Sequence, residues 1–270
     1  MPELPEVEIT TRKLEPLLIG KRILNFWTDW PRGLKMSSAM SNIRGLTIRK
    51  VFRRGKVIFL ELSKGYLLAF HQRMSGKLLV VTKNIQDKHI HHRFDISKSR
   101  ALIFHDVRKF GVVWFGKEKE ILKDKFLSGL GHDPLTLSFK DFKKSLAPFK
   151  GAIKPLLLRQ DVLSGIGNII ADESLWHARV YPKRRRENLS ESELKKLYSS
   201  IRFVLRKSIR LGGTTMRDWL HPDNSKGRYY ARRFVYKRAG EPCSHCGTLV
   251  KRIKIGSRGT FICEQCQSEK

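Results

Sequence analysis

All four cysteines of this 270-residue chain fall in its last 28 residues, as Cys243-x-x-Cys246 and Cys263-x-x-Cys266 with sixteen residues between the pairs. Each knuckle offers two thiolates to one ion, and a hairpin of that length lets the two knuckles converge on tetrahedral Zn²⁺. Two disulfides are the competing arrangement. The N-terminus, however, is acidic and lacks the basic-then-apolar order of a signal peptide, and thiols persist in a reducing compartment. Four thiolates leave no open coordination position, so the expected cofactor is one structural zinc. Between the knuckles lie Lys251, Arg252, Lys254, Arg258 and Phe261, a basic and aromatic set suited to a hairpin that touches nucleic acid.

Charge points the same way. With 55 Lys+Arg against 25 Asp+Glu, the net charge is +30. A hydrophobic fraction of 40% is enough for a core and excludes a wholly disordered basic tail. No apolar run approaches the roughly 20 residues of a membrane span, so the expectation is a cytoplasmic protein with a polyanionic partner.

The chain reads as α+β and multidomain. Val7, Thr11, Leu14 and Leu18 recur at helical spacing over 4–18. Six short β-branched and aromatic runs follow, at 56–62, 66–71, 77–82, 91–96, 101–105 and 112–115, and predict a β-sandwich. Turn residues at 129–134 mark a linker. Ser190-x-x-Glu193 is a capping box; it opens a helix with Leu194, Leu197, Ile201, Val204 and Leu205 on one face, which should stop at Gly212-Gly213. The expected domains are 1–132, a β-sandwich with an N-terminal helix; 133–228, helical; and 229–270, a four-Cys zinc ribbon.

One region runs against the charge. The first ten residues hold Glu3, Glu6 and Glu8 and no base. Helix N-termini favour acidic side chains, which explains part of this. Removal of Met1 would leave Pro2 with a free secondary amine. The α-amino reference pKa of about 8 keeps an appreciable fraction neutral. Such an amine can attack a sugar C1′ and form an iminium, with Glu3 beside it to donate or accept a proton.

The string Pro2-Glu3-Leu4-Pro5-Glu6-Val7-Glu8, the segment Gly165-Ile166-Gly167-Asn168 and the four-Cys ribbon, in that order, resemble the formamidopyrimidine-DNA glycosylases. The resemblance runs from Pro2 to Gln267. It implies Pro2 as the nucleophile, Glu3 as the acid at the deoxyribose ring oxygen, and Glu6 as a supporting carboxylate. It gives Lys56 and Arg258 to the lesion phosphates and the elimination steps, and Cys243, Cys246, Cys263 and Cys266 to zinc. Met74, Arg108 and Phe110 match the family's wedge, which fills the hole left by an extruded nucleotide. His89, Lys150, Lys154, Asn168 and Arg217 are the further expected DNA contacts, with Asn168 at a helix–two-turn–helix turn where backbone amides grip phosphate.

The implied activity is that of a bifunctional DNA glycosylase/AP lyase of base excision repair. It would remove 8-oxoguanine and formamidopyrimidines from damaged double-stranded DNA, as a monomer in the bacterial cytoplasm, associated with the nucleoid. Several positions depart from the family pattern. Val107 replaces a proline, Lys109 an arginine, Gln72 a leucine and Ile170 a tyrosine, and Phe149 stands where a basic residue is common, with Lys150 beside it. They bear on specificity more than on chemistry. Two other readings are weighed: an endonuclease VIII-like enzyme for oxidised pyrimidines, against which Leu4 speaks, and a non-enzymatic zinc-ribbon nucleic-acid-binding protein, against which Met1-Pro2-Glu3 and Lys56 speak.

Overall fold

The computed structural model describes residues 2–215, 221–222 and 225–268. The chain divides into two units: Met1–Gly129 with Gly212–Gly227, and Leu130–Leu211 with Arg228–Lys270.

The first unit opens with α1 (Leu4–Leu18), whose Leu4, Val7, Leu14 and Leu18 have no exposed surface. The strands are β1 (Asn25–Thr28), β2 (Leu34–Met36), β3 (Ile48–Arg54), β4 (Val57–Leu62), β5 (Tyr66–His71), β6 (Lys77–Thr82), β7 (Ile90–Asp95), β8 (Arg100–His105) and β9 (Val112–Lys117). Short helices α2 (Glu118–Ile121) and α3 (Lys125–Ser128) close the unit. One sheet has the order β2-β9-β5-β4-β3 and the other β1-β7-β8-β6. All pairings are antiparallel except β2 with β9. Alternate residues of the two sheets share one core with α1: Ile58, Leu60, Leu68, Phe70, Val113 and Phe115 from the first, and Leu78, Phe94, Leu102 and Phe104 from the second. Phe70 meets Phe94 edge-on at 5.7 Å and lies 6.0 Å from Phe104, so aromatic contacts bridge the sheets.

The sandwich and α1 match the sequence reading, but three strands were not foreseen. β1 and β2 are short edge strands without clear alternation. β3 carries four basic residues, and its register shifts between Ile48 and Lys50, which breaks the two-residue period a strand is read from.

The second unit contains α4 (Phe139–Leu146), α5 (Ile153–Leu157), α6 (Asn168–Ala178), α7 (Glu191–Arg210) and the hairpin β10 (Lys251–Ile255)–β11 (Arg258–Ile262). The capping box forms: Glu193 N donates to Ser190 Oγ (3.2 Å) and Ser190 N to Glu193 Oε2 (2.8 Å). α7 stops two residues before Gly212 and buries the five apolar residues expected on its inner face.

The units differ from the expected domains in two ways. The ribbon does not stand alone: Trp176 of α6 shares a small core with Val235, Cys243, Val250, Phe261 and Cys263. The segment after α7 joins the first unit, where Thr214 N donates to Glu6 Oε1 (2.7 Å) and Lys13 Nζ to Ser225 Oγ (3.0 Å). Among the described residues no helix is long and apolar enough to cross a membrane.

Candidate functional site

Pro2 is buried at the head of α1. Glu3 and Glu6 behind it are only 4% and 3% exposed. The Glu6 carboxylate serves two segments: Oε2 accepts from Glu3 N (2.7 Å) and Oε1 from Thr214 N (2.7 Å). Gly213 lies so close, at φ +72°, that a Cβ there would come within 2.9 Å of Glu6 Oε1, so a side chain is excluded by space and by backbone. Burial first, and the neighbouring Glu3 second, push the Glu6 carboxyl up to about 7.

This has a sign for stability. The native state holds a proton on Glu6 that the unfolded chain releases near 4.5, so this residue's contribution falls as pH rises from about 4.5 to 7. The window corresponds to about 3 kcal/mol. His71 and His92, held neutral by burial down to about 3 and 4, act in the opposite sense, since the unfolded chain protonates them first as pH falls below about 6.5. The test is therefore a difference. Glu6→Gln should gain stability relative to wild type as pH rises from 4.5 to 8 in urea unfolding, and a flat difference would contradict the assignment.

The third N-terminal glutamate has another task. Glu8 Oε2 accepts from Arg53 Nε at 2.6 Å, with both side chains largely shielded. Arg53 lies at the end of β3, so this pair clamps α1 to the two-residue turn Gly55-Lys56 that leads into β4. Lys56, 6% exposed, is thus carried on a turn fixed to the helix that Glu3 caps. His71, opposite Val57 on β5, stays neutral because it is buried and because Arg73 and Lys56 lie near it.

Met74, Arg108 and Phe110 come together in the same unit. Arg108 Nη1 lies 3.4 Å from Met74 Sδ, and its guanidinium sits 4.4 Å above the Phe110 ring. Met74 and Phe110 are 47% and 48% exposed, which sets them apart from core residues. Asp106, which sequence reasoning passed over, is fully buried beneath them; an Asx residue opening a turn was the available signal. His89 is half-buried, its ring 5.6 Å from that of His105. Its neighbours are internal: His91 Nδ1 pairs with Asp29 (2.8 Å), and His92 Nδ1 with Thr28 Oγ1 (2.9 Å).

In the second unit, Gln160 organises the turn before α6: its Oε1 accepts from Gly165 N (2.9 Å) and its Nε2 donates to Ile166 O (2.8 Å). Asn168 opens α6 and donates Nδ2 to Gly259 O on the ribbon hairpin (2.9 Å). It borders a cleft of about 490 Å³ that also presents Lys237 and Arg252. Arg258, the first residue of β11, and Lys150 are exposed. Phe149 lies under the guanidinium of Arg159 at 4.4 Å, which puts a cation beside the position that lacks one. Arg217 and Met1 lie outside the described residues.

Lys154 requires a correction. It was expected at a DNA phosphate but is 1% exposed, with Nζ 2.6 Å from Asp172 Oδ1, 2.7 Å from Thr260 Oγ1 and 3.3 Å from Gly259 O. Its ammonium holds α5, α6 and the hairpin together inside the unit. Glu173, also missed, gathers the segment leading into the ribbon: it accepts from Tyr229 OH (3.0 Å) and from Phe234 N (2.6 Å), Val235 N (2.8 Å) and Tyr236 N (2.9 Å).

The four cysteine sulfurs all lie within 4.8 Å of one another. Sulfurs are 3.4 Å apart for Cys246–Cys263, 3.5 Å for Cys246–Cys266 and 3.8 Å for Cys243–Cys266. Tetrahedral Zn–S bonds of about 2.3 Å place sulfurs about 3.8 Å apart, so the set fits one structural zinc with no open position. Cys246→Ala, or a strong chelator, should take the zinc content from one ion per chain to none and raise the protease sensitivity of the ribbon. Unchanged proteolysis after complete metal loss would contradict a folding role for zinc.

Family models cover most of the chain. "Formamidopyrimidine-DNA glycosylase N-terminal domain" matches residues 1–113, "Formamidopyrimidine-DNA glycosylase H2TH domain" residues 130–219, and "Zinc finger found in FPG and IleRS" residues 240–268. The formamidopyrimidine-DNA glycosylase of Bacillus subtilis (strain 168) is 36% identical over 277 residues, covering all of both chains. The crystal structure of MutM (FPG) from Thermus thermophilus superposes with a TM-score of 0.90 at 35% identity, over all of both chains. A Lactococcus lactis FPG mutant in complex with Fapy-dG-containing DNA gives 0.90 at 34% identity, over 99% of this chain and all of that one. With the buried Pro2-Glu3 start, the preassembled Met74–Arg108–Phe110 group and the zinc-ribbon cysteines in their expected elements, these matches show that the chain belongs to the formamidopyrimidine-DNA glycosylase family.

Proposed function

We propose that this chain excises oxidised purines from damaged double-stranded DNA and then cuts the strand as an AP lyase, with the amine of Pro2 as nucleophile. The observation that carries the reading is the buried head of α1, where Pro2 precedes two shielded carboxylates and Lys56 lies on a turn clamped to the same helix by Glu8–Arg53. The Fapy-dG-containing DNA bound by the Lactococcus lactis relative supports the lesion class.

In this reading, Met1 is removed and the neutral Pro2 nitrogen attacks C1′ of an everted nucleotide. The N-glycosidic bond breaks, and the base leaves with its electron pair and takes up a proton. Glu3 protonates the ring oxygen, the C1′–O4′ bond opens, and an iminium links Pro2 to the sugar. The iminium acidifies the C2′ protons; loss of one expels the 3′ phosphate, and a second elimination expels the 5′ phosphate. Lys56 and Arg258 neutralise the departing phosphates. Met74, Arg108 and Phe110 fill the vacated stack, His89, Lys150 and Arg217 contact the backbone, and Asn168 positions the turn at α6 whose amides face a phosphate. Such a protein works on nucleoid DNA in a bacterial cytoplasm. On a panel of lesion duplexes, 8-oxoguanine and formamidopyrimidine should be released at least about tenfold faster than an oxidised pyrimidine. The reverse order would favour the endonuclease VIII-like reading.

A further inference from the structure

The two wedge segments lie in different connections between the sheets, β5–β6 and β8–β9, and each holds a left-handed residue. Arg73, just before Met74, has φ +50°, and Lys109, between Arg108 and Phe110, has φ +52°. Left-handed backbone at a non-glycine residue costs about 1–3 kcal/mol and persists only where surrounding groups hold it. Arg73 N donates to His71 Nδ1 (3.0 Å), and the group bonded to both segments is Asp106, which has no exposed surface. Its Oδ2 accepts from Phe110 N (2.9 Å) and Gly111 N (2.8 Å), and its Oδ1 from Arg108 N (3.2 Å). The same Oδ1 accepts from Ser75 Oγ (2.5 Å), the residue next to Met74. Phe104 packs beneath: a Cβ on Gly111 would meet its ring at 2.4 Å and Asp106 Oδ2 at 3.2 Å.

We infer that Asp106 is a positioning residue: one buried carboxylate couples the Met74 loop to the Arg108–Phe110 loop and presets the wedge before DNA arrives. The inference rests on the proposed base-extruding function and goes beyond it: among the described residues, no backbone hydrogen bond joins the two loops at these positions. Val107, 54% exposed, stands where the family has proline and lacks the ring that fixes φ.

Two variants and a ratio test it. Asp106→Asn turns a donor toward Phe110 N and Gly111 N or toward Ser75. Ser75→Ala removes only the Ser75–Asp106 hydrogen bond between the loops and adds no bulk to the fold. Single-turnover borohydride trapping is measured on an abasic site in a full duplex and on the same site in single-stranded DNA, where no nucleotide needs extrusion from a stack. With either variant the duplex-to-single-strand rate ratio should fall about tenfold, the equivalent of one lost buried hydrogen bond. The fluorescence of a 2-aminopurine placed beside the site, which reports unstacking, should fall with it. An unchanged ratio, or both rates falling together, overturns the inference. Absence of trapping in the wild-type protein on both DNAs would instead sink the proposed function.

Discussion

Glu3→Gln should slow excision of an oxidised purine by about 10²–10⁴-fold, the usual contribution of a positioned general acid. The amide is isosteric and keeps an acceptor, but it cannot deliver a proton to the ring oxygen. Glu3 is shielded at the first turn of α1, and its backbone N–H is held by Glu6, so the swap leaves the local fold in place. An abasic site needs no base departure, and part of it is already ring-opened. The loss on abasic DNA should therefore be smaller than the loss on the lesion by at least about tenfold. Equal losses on both substrates, with DNA affinity also reduced, would make Glu3 a binding residue rather than an acid.

The second large effect is on stability. Glu173→Gln should cost about 3–5 kcal/mol, a large share of the 5–15 kcal/mol that holds a typical domain. The carboxylate accepts four hydrogen bonds, three of them from consecutive backbone N–H groups at Phe234, Val235 and Tyr236. Glutamine points its NH₂ at one of these groups of donors, and buried donors without acceptors cost far more than the bonds they lose. Trp176, the single tryptophan of the second unit, stacks on Phe234 at 4.6 Å, so its fluorescence reports the event in urea unfolding. A loss below about 1 kcal/mol would mean that water replaces Glu173 without penalty.

These two residues also mark how far the sequence could be read. Local signals were legible. The period of Val7, Thr11, Leu14 and Leu18 gave α1, Ser190-x-x-Glu193 gave the start of α7, and the runs at 66–71 and 77–82 coincide with β5 and β6. The cysteine spacing gave a cluster that the structure closes to metal-binding distances. What spacing could not reveal was the destination of a polar side chain. The family resemblance put Lys154 at a DNA phosphate; its partner Thr260 is 106 residues away. Glu173 reaches 61–63 residues ahead to backbone groups that carry no sequence signature at all. Asp106 and Ser75 are 31 residues apart and meet only because β5–β6 and β8–β9 end side by side. The acidic start of the chain was noticed as an exception to the charge. Only the structure separates its members into two buried carboxylates, Glu3 and Glu6, and one clamp, Glu8.

The central claim is that the N-terminal nitrogen of Pro2 forms the covalent bond to DNA. It is tested most directly by borohydride reduction on an abasic-site duplex, followed by intact mass and peptide mapping of the adduct. The account predicts a purified protein lacking Met1, one adduct per chain mapped to Pro2, and its loss when Met1 is retained behind a short N-terminal extension. An adduct mapped to Lys56 or another lysine, or full trapping by the extended protein, would contradict it.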